Sequence, residues 1–498
     1  MRRRREEEEE DRLSDLPDLI IYHIFSFLPT IDAVRMNTLS KRWMHLRVLD
    51  SNTSLHFSES AQFQKEKFRN LVSHCLQLQN LDRLQRFKLK MHFYGVYNDH
   101  LLMSSYYGYG SDDQRSQIDG WLNTIVVHSK ALNEMAISIN PGRDTKYRFI
   151  SNNILHSNSL AVLKLGCVQL ECVRSGTASD VELPSLKALS LKNVYLDYMT
   201  LKNLLIGCPS IEDLVLDSCH GLRKVVVSCS SLKSFIIRYP RYPIHDVHDD
   251  RSIQVEAVNL DTFVYDGAFV CKANIDIGSC GRVRSVLVSK AELDHDKWLD
   301  DLLNLQVENL TLDCCAGFKQ INIRNPYLKV LHLGGYGFYS YRCKGAVQAT
   351  NIDAPNLVSF SCEFEGKIIP NFSVNAPTLL EPRIKLVSKE AYTTDWYVNL
   401  IYFLKNFDGF KGLSLIANKE EALSIPKTLR SVCICPLPTL KHLKVTFCPL
   451  PTEEHLKVKS HSWKKKILEK RSVELREALL WLTPSAETPV IQPAGDNL

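Results

Sequence analysis

Residues 184–216 read PSLKALSLKNVYLDYMTLKNLLIGCPSIEDLVL and contain one short pattern twice. In each copy a proline stands two residues before an apolar residue, and apolar residues follow at the fourth and sixth positions of the form L-x-x-L-x-L. Side chains two residues apart point to the same side of a strand, so these two positions predict a short strand with one buried face. The proline suits the turn before that strand, because it fixes φ and lacks an N–H donor.

The same pattern recurs along most of the chain. Most copies start about 21 to 29 residues apart, which is the period of leucine-rich repeats. One such unit cannot bury its apolar row alone, so stacked units are expected to share a continuous core. The copies begin at Leu84, Leu132, Leu160, Leu186, Ile211, Leu232, Leu260, Val307, Leu328, Leu357 and Leu440, and the preceding proline recurs at Pro184, Pro209, Pro326, Pro355, Pro377 and Pro438.

The ninth position of the pattern gives two cysteines a structural interpretation. Cys219 and Cys315 occupy this position, where the repeat favours Asn or Cys. We therefore expect both thiols to belong to the repeat core instead of a metal site. The pattern loses regularity after Leu379, and residues 410–415 form a partial copy.

A second organised stretch, Leu13–Leu49, precedes the repeats. Pro17 suits the first turn of a helix, and apolar residues from Ile20 onward recur at steps of three and four residues. Three short helices of this size cannot bury their large apolar side chains among themselves, and no cysteine before Cys75 offers a disulfide or a thiolate metal site. The stretch is therefore either a helical cap on the rest of the chain or a docking module for another protein.

The residues of this stretch resemble an F-box. The resemblance lies in the Leu16-Pro17 pair, the Ile20/Ile21/Ile24 face, the Phe27-Leu28-Pro29 step and the Leu39-Ser40-Lys41-Arg42-Trp43 ending. In that family the motif docks on the Skp adaptor of a cullin–RING ubiquitin ligase. The resemblance implies that the adaptor interface, together with the F-box core that supports it, contains Leu16, Pro17, Ile20, Ile21, Ile24, Leu28, Val34, Leu39 and Trp43.

An F-box followed by such repeats resembles the plant F-box/leucine-rich-repeat proteins, many of which end in an FBD region. The segment from Arg471 departs from that family's usual ending. The resemblance implies an α/β fold, in which a three-helix F-box precedes a curved leucine-rich-repeat solenoid with parallel strands on its concave face. It also implies the substrate-recognition subunit of a Skp–cullin–F-box ubiquitin ligase, with no catalytic residue and no cofactor of its own. Two alternatives stay open, namely an interaction scaffold without a ligase role and a small-molecule sensor of the hormone-receptor F-box type.

Residues between the inward leucines are expected to line the concave face and to bind the target protein. Their charges have mixed signs, which favours a protein partner over a nucleic acid, since the latter requires basic residues concentrated on one face. A sensor of an anionic ligand would need a basic pocket, which this mixture does not predict. The candidate residues are Lys164, Lys192, Asp213, Asp217, Arg238, Asp266, Asp313, His332, Glu363 and Lys444.

Composition narrows the class of protein further. The chain has 498 residues, a net charge of +5 and 15 cysteines, an odd number with irregular spacing. The N-terminus lacks the apolar core of a secretory signal, and the longest apolar run is well short of the roughly 20 residues that cross a bilayer. We therefore expect reduced thiols and a cytoplasmic or nuclear protein without a membrane partner, Arg2–Arg5 being a candidate nuclear-import signal. The chain contains no phosphate-loop, nucleophile-elbow or zinc-protease motif.

The domain boundaries predicted from these patterns divide the chain into six parts. Only the F-box and the repeat array are expected to carry binding surfaces. The parts are a charged tail at 1–11, the F-box at 12–50, a helical linker at 51–83, the repeat solenoid at 84–450, a helical cap at 451–482 and a disordered tail at 483–498.

Overall fold

The structure, a computed structural model, divides into two compact units, residues 1–222 and 223–498, each of which is described by itself. Helices and strands are numbered below in chain order. The structure describes residues 15–26, 28, 30–37, 42, 53–59, 65–78, 81–92, 112–140, 147–149, 152–170, 181–240, 250–293, 295–318, 320–336, 349–365, 371–387, 392–448, 473–486 and 490–493.

The first unit is built on a parallel sheet whose strands pair in the order β1-β2-β3-β5-β7-β8. A separate short pair joins β4 to β6. The strands are β1 (Ser54–Ser58), β2 (Arg86–His92), β3 (Glu134–Asn140), β4 (Tyr147–Phe149), β5 (Val162–Gly166), β6 (Val168–Leu170), β7 (Ala188–Lys192) and β8 (Asp213–Asp217). The helices are α1 (Asp18–Ser26), α2 (Thr30–Asn37), α3 (Lys65–Leu78), α4 (Asp112–His128) and α5 (Tyr198–Ile206).

The second unit contains a longer parallel ladder, β10-β12-β13-β14-β16-β18-β20-β21-β22-β23. Two further sets, β9-β11-β12 and β15-β17-β19, are also parallel. Its helices are α6 (His295–Leu303), α7 (Thr394–Leu404), α8 (Lys427–Val432) and α9 (473–482). Its strands are β9 (Lys224–Ser228), β10 (Ser234–Arg238), β11 (Arg251–Glu256), β12 (Thr262–Asp276), β13 (Ser285–Leu293), β14 (Asn309–Asp313), β15 (Gln320–Arg324), β16 (Val330–Tyr336), β17 (Ala349–Asp353), β18 (Ser359–Glu365), β19 (Asn371–Asn375), β20 (Arg383–Val387), β21 (Gly412–Ala417), β22 (His442–Phe447) and β23 (Val490–Pro493).

The parallel repeat strands predicted from the sequence are confirmed. In every predicted copy the first, fourth and sixth positions are at most 3% exposed, as in Leu186, Leu189 and Leu191. The fourth and sixth positions alternate with solvent-facing residues along the strand, while the first lies in the turn before it. Each copy therefore adds one apolar layer to a shared core.

The residue after the repeat strand is left-handed in phase with the pattern. Asn193, Ser218 and Cys314 have φ values of 53°, 56° and 52° at the eighth position. The next residue turns inward, and at two copies it is a cysteine. The thiol of Cys219 donates to the carbonyl of Leu191 in the preceding repeat at 3.3 Å. Cys315 bonds the preceding repeat in the same way, which confirms the structural interpretation of the ninth position.

Two segments differ from their predicted structure. Residues 51–83 were expected to form a helical linker, but β1 lies within them and pairs with β2, so the sheet begins one strand earlier. Leu55 and Phe57 lie two residues apart, so they point to the same side of β1, and both are fully buried. The backbone of β1 pairs with the edge of β2. The predicted tail at 483–498 contains strand β23, residues 490–493, which pairs with β22. An edge strand has backbone N–H and C=O groups without a strand partner, and β23 pairs with those of β22.

Sequence reasoning also missed one full copy of the repeat. The apolar positions of this copy are occupied by Val283, Val286 and Val288, each at most 1% exposed. The last two of these residues lie in strand β13. Valine replaces leucine at all three positions and fits a strand equally well, because its branched side chain packs against the pleat. Among the described residues, no helix has the length and apolarity needed to cross a bilayer.

Candidate functional site

Helix α1 begins at the predicted position and carries a small apolar core. The carbonyl of Pro17 accepts hydrogen bonds from the N–H groups of Ile20 and Ile21 at 2.9 and 3.1 Å, which closes the first turn. Ile21 is only 1% exposed and packs against Ala33 of α2, which is fully buried. The half-buried hydrophobic residues that surround this pair are Leu16, Tyr22, Leu28 and Met36.

The opposite side of α1 presents apolar side chains to solvent. Leu19 is 81% exposed and Ile20 is 46% exposed, and Pro17 before them is exposed as well. Successive residues of a helix point about 100° apart, so burying Ile21 turns the two preceding residues outward. An exposed pair of large aliphatic residues at the start of one short helix is typical of an interaction surface.

The predicted adaptor residues therefore fall into three groups. Pro17 and Ile20 lie on the exposed surface, while Ile21 belongs to the core. Leu39 and Trp43 lie outside the described residues. The half-buried residues, which can support the surface from beneath, are Leu16, Ile24, Leu28 and Val34. Sequence reasoning missed Leu19, although its place directly before two isoleucines was a signal that the apolar run exceeds one helix face.

Arg42 holds the start of α1 in place. Its Nη2 donates to the carbonyl of Leu16 at 2.9 Å and to Oδ1 of Asp18 at 2.6 Å. Arg42 lies 26 residues after Leu16 and 24 residues after Asp18, so these bonds tie this later part of the chain to the start of α1. The exposed surface on α1 is thereby fixed relative to the rest of the motif.

Helix α2 joins the F-box to the repeat sheet. It packs against β1, the edge strand of the first unit. Thr30, at the start of α2, is 1% exposed, and its hydroxyl accepts a hydrogen bond from the backbone N–H of His56 in β1 at 2.7 Å. The F-box helices are thus attached to the first repeat strand instead of standing apart from it.

The predicted target residues of the first unit all lie on the sheet face opposite the core. Lys164 sits beside Ser190 of the next strand, and Lys192 sits beside Asp217. Nζ of Lys192 pairs with Oδ2 of Asp217 at 3.0 Å. Asp213 lies at the start of its strand and is exposed. We call this surface the first strand face.

The remaining predicted target residues lie on the corresponding face of the second unit. Arg238, Asp266 and Asp313 follow one another across neighbouring strands, with Ser289 between the last two. Asp266 pairs with Lys290 at 3.1 Å. His332 and Lys444 occupy a second row, in which Nδ1 of His332 and the hydroxyl of Ser361 are 2.7 Å apart.

Glu363 completes the predicted set. Its Oε1 pairs with Nζ of Lys385 on the next strand at 3.0 Å. None of the ten predicted target residues is buried. All ten residues thus lie on the solvent side of the strands of their own unit, and their binding to a target stays a prediction.

Burial raises the pKa of several described thiols and so favours their protonated form. Burial raises the pKa of Cys75 to about 11 and that of Cys315 to about 12. Burial, followed by the charge of Asp313, raises the pKa of Cys314 to about 12. A protonated thiol is a poor nucleophile and a poor metal ligand. Within the described ranges no group of three or more His, Cys, Asp or Glu residues is arranged to hold a metal ion.

Comparison with known proteins agrees with this geometry. The fold is that of parallel leucine-rich-repeat strands preceded by short helices, the first of which exposes two large apolar side chains. Residues 13–46 match the F-box domain, and residues 118–290 match the leucine-rich repeats of FBD-associated F-box protein At5g56370. F-box domains generally bind Skp adaptors, and proteins of this class are typically non-catalytic.

Several F-box proteins from Arabidopsis thaliana are similar to this chain. F-box/FBD/LRR-repeat protein At2g26030 is 29% identical over 50% of this chain and 52% of its own length. Putative F-box/LRR-repeat protein At3g44810 is 32% identical over 51% and 53%, and FBD-associated F-box protein At4g10400 is 33% identical over 46% and 54%. The chain spans about half the length of the curated relatives it matches. Its match to an F-box precedes its match to leucine-rich repeats, which is the combination given in the names of At2g26030 and At3g44810.

Proposed function

We propose that this chain is the substrate-recognition subunit of a Skp–cullin–F-box ubiquitin ligase. The F-box docks a Skp-type adaptor, which in turn binds a cullin, and the strand faces hold a target protein for ubiquitination. The observation that carries the proposal is the exposed pair Leu19 and Ile20 on α1, backed by the buried Ile21. This pair offers a partner two large apolar side chains on a surface that the F-box core already supports.

The energetics of such a surface favour a protein partner. Removing an exposed Leu or Ile side chain from water stabilises a complex by about 1.5–3 kcal/mol when burial is complete. In a protein interface a few fully desolvated residues near the centre carry most of the binding energy, while the contacts around them exclude water. Leu19, at 81% exposed, has most of this free energy still to gain.

The attachment of α2 to β1 supports a receptor function. A substrate receptor must hold its target at a defined distance from the ligase, so the docking motif and the target surface need a fixed connection. The bond between Thr30 and His56 and the packing of α2 on β1 provide this connection within the first unit. The chemistry of ubiquitin transfer would then be performed by other subunits.

The two alternative functions make different predictions. A free-standing scaffold would use the F-box helices only to cover the sheet edge and would bind no adaptor. A small-molecule sensor would bind its ligand without a target protein and would then recruit the target. The scaffold differs from the proposed receptor in an assembly experiment with purified adaptor and cullin, whereas the sensor differs in that it binds its target only after its ligand.

The experiment mixes the full chain with a Skp adaptor and a cullin and follows the mixture by size-exclusion chromatography. The proposal predicts co-elution of all three proteins, and it predicts that the chain joins the cullin only when the adaptor is present. Chain that elutes separately from an adaptor–cullin complex would contradict the proposal and favour the scaffold. A folded sample, checked by circular dichroism, makes either result interpretable.

A further inference from the structure

The first strand face contains a depression of about 280 Å³. Its floor is low because the residues at its centre have short side chains, namely Ala136, Ser138, Gly166 and Ser190. The longer side chains of the same two rows stand around this floor. They are His56, Lys88, Lys90, Lys164 and Lys192.

Strand register brings these residues together. His56, Lys88 and Lys164 lie in one row across the sheet, with Ala136 between the two lysines. Lys90 and Lys192 lie in the adjacent row, two residues further along their strands. The four lysines come from three different strands, so the cluster is invisible in any single copy of the repeat.

The depression carries excess positive charge. Oε1 of Glu134 forms ion pairs with two lysines. It lies 3.1 Å from Nζ of Lys88 and 3.5 Å from Nζ of Lys164. Asp217 pairs with Lys192, and within the described part of the chain no carboxylate pairs with Lys90. Four ammonium groups thus face two carboxylates, neither of which lines the depression.

His56 adds a hydrogen-bonding group without adding charge. Its partial burial and the nearby charge of Lys88 lower its pKa, so the ring is neutral near pH 7. A neutral ring adds no positive charge, so among the described residues that line the depression the positive groups are the four lysines. The lysines therefore determine the charge that this surface prefers.

We infer that this depression is the docking site for an acidic segment of the target protein, and this inference rests on the proposed function. Neighbouring strands lie about 4.8 Å apart, so Lys88 and Lys164 stand on strands roughly 10 Å apart. An extended peptide advances about 3.4 Å per residue, and three to five residues span the cluster. Carboxylates at alternate positions of such a segment point to the same side and reach the lysines.

The surroundings disfavour a longer polyanion. Glu134 and Asp217 stand beside the depression, and Asp213 lies at the start of the next strand. A continuous phosphate backbone would have to cross these carboxylates, whereas a short acidic segment fits between them. The small residues on the floor also let a peptide backbone approach the sheet closely, and the hydroxyls of Ser138 and Ser190 can bond it.

The test measures the binding of a fluorescently labelled peptide, Gly-Ser-Glu-Glu-Glu-Glu-Gly-Ser, to the full chain by fluorescence anisotropy. A peptide with Gln in place of each Glu is the ligand control. We expect the double variant Lys88→Gln/Lys164→Gln to lower the affinity about tenfold, since two exposed ion pairs are lost. The variant Glu134→Gln should raise the affinity, because it frees both lysines from their internal partner.

The matched control is Lys202→Gln, an exposed lysine on α5 away from the strand face. It removes one positive charge, half the change made by the double variant, and should leave the affinity unchanged. A loss of binding free energy in Lys202→Gln that is half the loss in the double variant would overturn the inference, since attraction would then follow net charge alone. Equal binding of the Glu and Gln peptides would also overturn it. Citrate that displaces the peptide at lower concentration than the unlabelled peptide would assign the depression to a free small anion and overturn the peptide site.

Adaptor binding is measured on the same samples and separates this inference from the proposed function. The lysine variants should bind the Skp adaptor as the unmodified chain does. Peptide binding by a chain that fails to bind any adaptor would refute the proposed function and support the acidic-segment site. Adaptor binding without lysine-dependent peptide binding would refute the site alone.

Discussion

The hydroxyl of Thr30 accepts a hydrogen bond from the backbone N–H of His56 at 2.7 Å. This bond joins the F-box to the repeats, since Thr30 begins α2 and His56 lies in the edge strand β1. An uncovered edge strand exposes unpaired backbone groups and invites aggregation. Helix α2 therefore covers the edge of the sheet while fixing the docking motif to it.

Replacing Thr30 by Val should destabilise this junction. Valine keeps the shape of the side chain but leaves the N–H of His56 without its acceptor, which costs about 1–2 kcal/mol. Hydrogen exchange of the His56 amide should become faster in the variant. Thr30→Ser, which keeps the hydroxyl, is the control, and unchanged exchange in Thr30→Val would show that the bond does not protect this amide.

Gly221 should not tolerate a side chain. Its φ is +85°, and a Cβ would lie 2.6 Å from the carbonyl oxygen of Leu196. Gly221→Ala should lower the free energy of unfolding by about 1–3 kcal/mol, measured by urea denaturation. Gly120→Ala provides a matched control, because this helical glycine has open space around its Cβ position and should gain about 0.5–1 kcal/mol. Equal effects of the two changes would contradict the left-handed backbone conformation of Gly221.

Thiol reactivity should follow burial. The raised pKa values of Cys75 and Cys315, about 11 and about 12, leave almost no thiolate at pH 8. Iodoacetamide should label the partly exposed Cys433 well before these two thiols, as followed by mass spectrometry. Labelling of all three after unfolding is the control. Rapid labelling of Cys315 in the folded chain would contradict its place in the repeat core.

The ion pairs of Glu134 should make stability depend on pH. Partial burial raises the pKa of Glu134, but the hydrogen bond and charge of Lys88, together with Lys164, outweigh burial and hold it below the ordinary value. The folded pKa is thus lower than the unfolded one. The stabilisation is present above the unfolded pKa, about 4.3, and is lost as pH falls through the folded pKa.

Glu134→Gln should therefore be less stable than the unmodified chain at pH 7. The difference should shrink as the pH is lowered through the unfolded and then the folded pKa, because the carboxyl becomes protonated in each state in turn. Urea denaturation across this range measures it. A difference in stability that stays constant with pH would show that the ion pairs do not contribute, and that the substitution acts through packing alone.

Local patterns predicted the repeat strands well, because the spacing of leucines within one copy decides which face of a strand is buried. Cys219 could be placed in the core for the same reason. The lysine cluster could not be predicted, since Lys88 and Lys164 meet through lateral register, which depends on the loops between copies. Strand β1 was missed because its alternating pattern contains only two apolar residues, Leu55 and Phe57. A pattern this short predicts a strand only when the neighbouring strand β2 is known.

The F-box shows the same division between local and tertiary information. The helical spacing located α1, but it could not separate the core residue Ile21 from the exposed Ile20. That separation follows from the packing of α1 on Ala33. The same packing turns Leu19 towards solvent. Leu19 was absent from the interface predicted from the sequence.

The affinity of a Skp adaptor for the variant Leu19→Ala/Ile20→Ala tests the central claim most directly. Surface plasmon resonance with the full chain should show binding weakened about a hundredfold, since each truncation removes about 1.4 kcal/mol of apolar contact. The control is Val127→Ala, which trims another exposed aliphatic side chain, 57% exposed, on α4 and should bind normally. Unchanged adaptor binding by the double variant would contradict the docking surface on α1.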